Sequence, residues 1–247
     1  MHRLIRIGTL VACLLTAPLF AVPSFHYLPS EGIELKVLLG NPPADGSTET
    51  KREIEIMLRE QARRTSADMI RTKSEIAFSS AAFTDILGAE FTLANLPLTF
   101  ALLRNVEDDA RSASEEAKLI WNRPRPPLQD SRVTPAVDLP KTGSYPSGHA
   151  TRGHLYAMIL GELFPEKRAA LLSRGWLVGW DRVMGGVHFP SDIAAGFKLG
   201  DALATQMIAS ATFQTELLKA RAECEHFYSR GGGSPKTNKI RSWPSAY

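Results

Sequence analysis

Apolar residues recur along most of this chain at the three- and four-residue spacing of amphipathic helices, and the alternation typical of strands is scarce. One such helix is predicted to begin at Ser47 or Thr48, where either hydroxyl can cap it, and to bury Ile54 and Met57. Another pattern begins at Ser66. The pattern therefore predicts an all-α protein.

The middle of the chain is apolar but repeatedly interrupted. Polar residues and Pro97 break the run at 83–103, so we predict two core helices separated near Asn95 rather than a membrane span. Residues 105–109 are predicted to form a polar connection, and residues 112–122 the next helix. That helix should end before Pro124, because a residue preceding proline avoids the helical region.

The second half begins with a long loop over residues 128–143, and loops of this length are often functional. The remaining helices are predicted over residues 147–164, 165–185, 190–210 and 213–227. We find no internal repeat or second domain boundary, so residues 22–228 should form one compact multi-helix bundle. Residues 229–247 contain three consecutive glycines and read as a poorly ordered tail.

The N-terminus has the features of a targeting signal. A basic start is followed by an uncharged apolar run at residues 7–20, and the pattern before residue 22 is typical of cleavage after Ala21. The run is too short for a comfortable membrane span. An uncleaved anchor and lipidation at Cys13 remain as alternatives. We therefore expect a periplasmic or secreted protein, with residues 1–21 as its signal peptide.

Composition narrows the class of protein further. Among its 247 residues, 44% are hydrophobic and 22% charged, as in ordinary soluble domains, and the formal charge of +3 gives no argument for nucleic acid or an anionic membrane. Removal of the signal leaves Cys224 as the single cysteine. A disulfide within the mature chain is then impossible.

Three segments carry residues suited to binding and transforming an anion. In the first, Ser147 caps a helix whose free N–H groups favour an anion, Gly148 allows close approach, and His149 can exchange a proton. In the second, Lys118 and Arg125 lie about two helical turns apart, and both suit a phosphate. Spacing alone does not distinguish Arg125 from Arg123, and Ser147 and His149 also suit plain capping and packing.

The third segment contains Arg182, His188 and Asp192. A histidine four residues before an aspartate at a proline-started helix lets the carboxylate hold one imidazole nitrogen. The other nitrogen is then available as a nucleophile. Such pairs also occur as structural hydrogen bonds.

Together the segments spell Lys118-x6-Arg125-Pro126, then Pro146-Ser147-Gly148-His149, then Arg182-x5-His188-x3-Asp192. This closely resembles the three-part signature of the type 2 phosphatidic acid phosphatase superfamily, which includes the vanadium haloperoxidases. The chain looks most like its bacterial class A non-specific acid phosphatases, from about residue 38 to residue 225.

The resemblance implies a compact all-α fold and a broad-specificity acid phosphatase that needs neither metal nor other cofactor. By that resemblance Lys118, Arg125 and Arg182 grip the phosphate, helped by Ser147 and Gly148. His188 forms a phosphohistidine, oriented by Asp192, and His149 protonates the leaving alcohol and then activates water. The expected partners are small phosphomonoesters, without nucleic acid or a stable membrane partner; transfer to other alcohols and homo-oligomerisation are left open.

One position departs from the signature, which has serine where this chain has Asp181. A carboxylate beside an anion site should weaken phosphate binding unless it pairs with Arg182 or points away. The rival hypotheses are a vanadate-dependent haloperoxidase, an integral lipid phosphatase, and a phosphate-binding homologue weakened by Asp181. The second needs several apolar spans of about 20 residues, and none follows residue 21.

Overall fold

The computed structural model describes residues 25–29 and 33–231, and every regular element in these ranges is helical. The α-helices are α1 Leu35–Leu39, α2 Thr48–Arg63, α3 Ser66–Ser74, α4 Thr84–Leu87, α5 Pro97–Trp121, α6 Pro126–Gln129, α7 Gly148–Leu163, α8 Arg168–Met184, α9 Pro190–Ala209 and α10 Ala211–Ser229. Short 3-10 helices at Ser80–Phe83 and Pro165–Lys167 lead into α4 and α8. The prediction of an all-α fold is confirmed.

Capping side chains fix several helix starts. Ser47 accepts a hydrogen bond from the Thr50 N–H at the start of α2, as predicted. The cap of α3 lies one residue earlier than predicted, at Thr65, which forms a reciprocal capping box with Asp68. Ser147 accepts from the Ala150 N–H and starts α7, again as predicted.

The prediction of a polar connection at residues 105–109 is wrong, because α5 runs unbroken from Pro97 to Trp121. Some of the polar side chains there form hydrogen bonds with residues near the N-terminus. The Asp109 carboxylate accepts the backbone N–H groups of His26 and Tyr27 at 2.8 and 2.9 Å, and the Asn105 amide donates to the Tyr27 hydroxyl. Two polar residues of this stretch therefore hold the N-terminal arm, the segment at residues 25–29, against α5.

The two predicted core helices at residues 83–103 are also not separate long helices. The 3-10 helix, the one-turn α4 and a series of turns lead to the start of α5 at Pro97, which matches the predicted break.

Helix α7 lies at the centre, packed closely against α8 and α9. A Cβ on Gly175 would come within 2.5 Å of the Gly153 carbonyl, and one on Gly196 within 2.7 Å of the Ala150 Cβ, so side chains are excluded at these crossings. The crossing with α9 also places the Ser147 N–H on the Asp192 carbonyl at 2.9 Å. Two of the three segments with candidate site residues, those of Ser147 and Asp192, therefore meet at the ends of tightly packed helices.

The ends of the chain bear on two further predictions. The predicted signal peptide falls outside the described residues, as do residues 232–247 of the predicted tail; Ser229 closes α10. In residues 25–29 and 33–231, no helix combines the length and hydrophobicity needed to cross a bilayer.

Candidate active site

Lys118, in the last turn of α5, reaches the loop that precedes α7. Its ammonium donates to the carbonyls of Gly143 and Pro146 at 2.8 and 2.7 Å. Burial, together with the charge of Arg125, lowers the pKa of Lys118 to about 7. A partly buried ammonium beside a second cation is stabilised by an anionic ligand.

Arg125 follows α5 and lies directly against the predicted nucleophile. Its Nη1 donates to the Val187 carbonyl and lies 2.8 Å from His188 Nε2, while its Nε donates to the Thr142 carbonyl at 3.0 Å. Burial lowers the pKa of Arg125 to about 10, with the Asp192 charge opposing that shift. The guanidinium therefore marks where an anion in contact with His188 would lie.

His188 and Asp192 form the pair predicted from their spacing. His188 Nδ1 lies 3.3 Å from Asp192 Oδ2, which also accepts from the Phe189 N–H at 2.8 Å and from the Ser144 hydroxyl. Burial, followed by the Arg125 charge, holds the pKa of His188 well below its usual value. The imidazole is thus neutral, with Nδ1–H facing the carboxylate and the Nε2 lone pair facing Arg125.

The N-terminus of α7 supplies the second histidine. His149 Nε2 donates to the Glu75 carbonyl at 2.8 Å. Burial, then the charges of Arg182 and Arg152, lowers the pKa of His149 to about 3. Gly148 begins the helix, and a Cβ there would meet Ser114 at an ordinary 3.9 Å, so neighbouring protein atoms do not require glycine. A glycine at this position leaves the free N–H groups of the helix terminus open to a ligand.

Arg182 differs from Lys118 and Arg125 because two of its donor atoms lack a hydrogen-bond partner among the described residues. These atoms are Nε and Nη1, and the side chain that carries them is buried. Its charge lowers the pKa values of both Arg125 and His149. Buried guanidinium donors normally find partners, so Arg182 has the features of an anion ligand.

Asp181, the departure from the signature, does not pair with Arg182. Both its carboxylate oxygens lie 2.6 Å from the Arg71 guanidinium, which also bonds to Asp68 at 2.9 Å. Burial raises the pKa of the Asp181 carboxyl, and pairing with Arg71 opposes that rise. The negative charge beside the site is therefore matched by a cation from α3.

Arg123, the alternative to Arg125, contacts two carboxylates instead of the His188 imidazole. It pairs with Asp192 at 2.7 Å and with Glu53 of α2 at 3.0 Å. The two arginines therefore differ in their contacts: Arg125 contacts the imidazole of His188, whereas Arg123 contacts the carboxylate of Asp192.

The predicted residues thus lie close to one another. Lys118 and Arg125 act electrostatically on His188, Arg182 acts on His149, and Ser147 is bonded to Asp192. Three cations and a helix N-terminus around two neutral imidazoles suit a tetrahedral oxyanion.

The contacts of Glu53, Glu75 and Arg71 were not predicted. The signal for Glu53 was a charge at the helical spacing of the buried residues Thr50 and Met57.

Comparisons with known proteins agree with one another on the relatives of this chain. The sequence model described as the PAP2 superfamily matches residues 95–216. The chain is 30% identical over 218 residues to a non-specific acid phosphatase of Providencia stuartii, covering 81% of this chain and 85% of that protein. It is 34% identical over 146 residues to a non-specific acid phosphatase of Salmonella typhimurium, covering 57% of this chain and 58% of that protein.

A further relative is an acid phosphatase of Zymomonas mobilis, 34% identical over 142 residues, covering 56% of this chain and 54% of that protein. The chain thus spans little more than half the length of the Salmonella and Zymomonas relatives in these alignments.

Proposed function

The chain belongs to the PAP2 superfamily, among relatives of its non-specific acid phosphatases, and we propose that it hydrolyses small phosphate monoesters at mildly acidic pH. The single observation that supports this most is the Arg182 side chain. Its buried Nε and Nη1 have no partner within residues 25–29 and 33–231, and its charge acts on both Arg125 and His149. A phosphoryl group offers oxygens that match a guanidinium in geometry and charge.

In the proposed first step, the Nε2 lone pair of His188 attacks phosphorus. The bond from phosphorus to the ester oxygen breaks, and its electron pair stays with the leaving alcohol. Asp192 accepts a hydrogen bond from the Nδ1–H and stabilises the positive charge that develops on the phosphohistidine. Lys118, Arg125 and Arg182 neutralise charge on the non-bridging oxygens, supplying electrostatic stabilisation that other phosphoryl-transfer sites obtain from metal ions.

The leaving oxygen takes its proton from His149. In the free protein this imidazole is neutral, because its pKa lies at about 3. A phosphate monoester below its second pKa of about 6 carries one proton, and we propose that His149 receives that proton when the monoanion binds. An acidic optimum then follows from the protonation state of the substrate as well as from the enzyme.

In the second step, His149 accepts a proton from water, the resulting hydroxide attacks phosphorus, and the bond from phosphorus to Nε2 breaks. Inorganic phosphate leaves with the proton that His149 took from water, and both His188 and His149 are neutral again. The N-terminal signal pattern supports export, so we place this chemistry in the periplasm or outside the cell. There, broad specificity would suit small phosphorylated nutrients.

The test is release of phosphate from 4-nitrophenyl phosphate and from alkyl phosphates between pH 4 and pH 9, with and without a chelator. His188→Ala should abolish turnover, and an acid quench of the wild type should trap a phosphorylated protein that this variant lacks. A wild type without phosphatase activity that oxidises halide after vanadate is added would contradict the proposal. Normal turnover by His188→Ala would contradict the assignment of the nucleophile.

A further inference from the structure

A buried ionic network lies behind the imidazole–carboxylate pair, on the side away from the anion position. Its members are Arg123 at the end of α5, Glu53 in α2, and Asp192 and Ser191 in the first turn of α9. The side chains of Arg123 and Asp192 are 2% and 0% exposed. Ion pairs so far from water interact strongly and place strict demands on geometry.

The two oxygens of Asp192 have different partners. Oδ2 faces His188 Nδ1, the Phe189 N–H and the Ser144 hydroxyl, whereas Oδ1 accepts from Arg123 Nη1 at 2.7 Å. The carboxylate is therefore shared between an imidazole and a permanent cation. Burial acts to raise the pKa of Asp192, but His188, Arg123 and Ser144 together hold it at about 2.

The Arg123 guanidinium is itself fixed from three directions. Nη1 also donates to the Ser191 hydroxyl at 2.8 Å, Nη2 donates to Glu53 at 3.0 Å, and the group lies 3.9 Å from the centre of the Phe189 ring. Glu53 additionally accepts the Ser191 N–H at the start of α9. The charge of Arg123 is thus divided between two carboxylates, only one of which contacts His188.

From this geometry we propose that Arg123 and Glu53 are positioning residues that set the basicity of His188 through Asp192. Arg123 draws the negative charge of Asp192 away from the imidazole, which keeps His188 unprotonated and nucleophilic in acid. Glu53 moderates that effect by taking part of the Arg123 charge. The inference rests on the proposed function, since it assigns His188 as the nucleophile.

The other charged groups around His188 act from different sides. Arg125 contacts Nε2, and Lys118 contributes a second positive charge from α5. Arg182 of α8 acts on Arg125. None of these cations has a contact with Glu53 or Arg123 among the described hydrogen bonds and ion pairs, so changes in the network should reach His188 by way of Asp192.

Substitutions of the two positioning residues should shift the pH dependence of activity in opposite directions. Arg123→Met frees Asp192 to stabilise the imidazolium, so the acidic limb of the profile of kcat/KM against pH should move upward by about one pH unit. Glu53→Gln leaves more of the Arg123 charge on Asp192, so the limb should move downward by roughly half a unit. Structural damage alone would not raise the acidic limb in one variant and lower it in the other.

The experiment measures kcat/KM for 4-nitrophenyl phosphate from pH 3 to pH 8 in the wild type, Arg123→Met, Glu53→Gln and Arg132→Met. Arg132 pairs with Asp130 and Glu55 at the exposed surface and provides a matched control that should leave the limb in place. Arg123→Lys retains a cation and should restore part of the wild-type profile. If Arg123→Met does not fold, the downward shift of Glu53→Gln and the lysine variant still test the proposal.

A second readout does not depend on turnover. Titration of the His188 imidazole by NMR in ¹⁵N-histidine-labelled protein, assigned with His188→Gln, should show the same opposite displacements. The role of the network would be overturned if the acidic limb and the His188 titration did not move in Arg123→Met and Glu53→Gln. It would also be overturned if they moved in the same direction in both variants. An inactive wild type whose His188 titration still shifts in opposite directions would refute the proposed phosphatase and leave this inference standing.

Discussion

Loss of Arg71 should destabilise the fold more than loss of its partner Asp181. Asp181 is fully buried, and both its oxygens are bonded to Arg71, whereas the Arg71 side chain is 26% exposed and also bonds to Asp68. Arg71→Met therefore leaves a buried carboxylate without its cation. Asp181→Asn leaves a cation that reaches both water and Asp68.

The expected magnitudes follow from this asymmetry. Removing the partner of a buried charge costs about 3–5 kcal/mol, so we expect that loss for Arg71→Met. Asp181→Asn loses hydrogen bonds between charged groups, worth about 1.5–3 kcal/mol before screening at the partly exposed Arg71 is allowed for. In a domain of this size each kcal/mol lowers Tm by roughly 2–4 °C, so the two variants should be separable by their Tm values.

Urea denaturation followed by circular dichroism measures both losses. The double variant Arg71→Met/Asp181→Leu removes both charges together and should recover much of the stability lost by Arg71→Met, because apolar pairs can replace buried ion pairs at little cost. Arg132→Met, at an exposed pair, should change the free energy of unfolding by less than about 0.5 kcal/mol. A greater loss for Asp181→Asn than for Arg71→Met would refute the reasoning.

Three further predictions concern the pocket. Asp181→Ser should lower KM for phosphomonoesters and Arg71→Met should raise it, because the two changes alter the charge beside the site in opposite senses; equal shifts would contradict this. Because the pKa of Lys118 is depressed to about 7, its ammonium is lost as pH rises above that value, so phosphate affinity measured by calorimetry should fall from pH 7 to pH 9. Lys118→Arg keeps its charge and should remove that fall. His149→Gln should reduce kcat/KM at least tenfold more for alkyl than for 4-nitrophenyl phosphate, since only the poorer leaving group needs the proton.

Local signals predicted the helices that carry the candidate site residues. The capping serine at Ser147, the proline that starts α9 and the spacing of His188 and Asp192 each depend on neighbours within one helical turn. Such signals are readable along the chain, and the structure bears out these helix starts. The all-α class followed from the same periodicity.

The features that sequence did not reveal depend on partners distant along the chain. Polar residues at 105–109 interrupt the apolar pattern of α5. One of them, Asp109, binds the backbone of the arm, which lies more than 80 residues earlier in the chain. Glu53 and Arg71 resemble ordinary solvated charges until α9 and α8 are packed against them. Pairing across such separations leaves no periodic trace in a single sequence.

The docked arm also has a consequence for how the protein is made. Tyr27 bonds through its backbone to Asp109 and through its hydroxyl to Glu216 of α10, a partner 189 residues away. The Tyr27 side chain is synthesised 189 residues before its partner in α10. These contacts therefore cannot be complete until α10 has been synthesised, and until then the face of α5 that receives residues 25–29 is only partly covered.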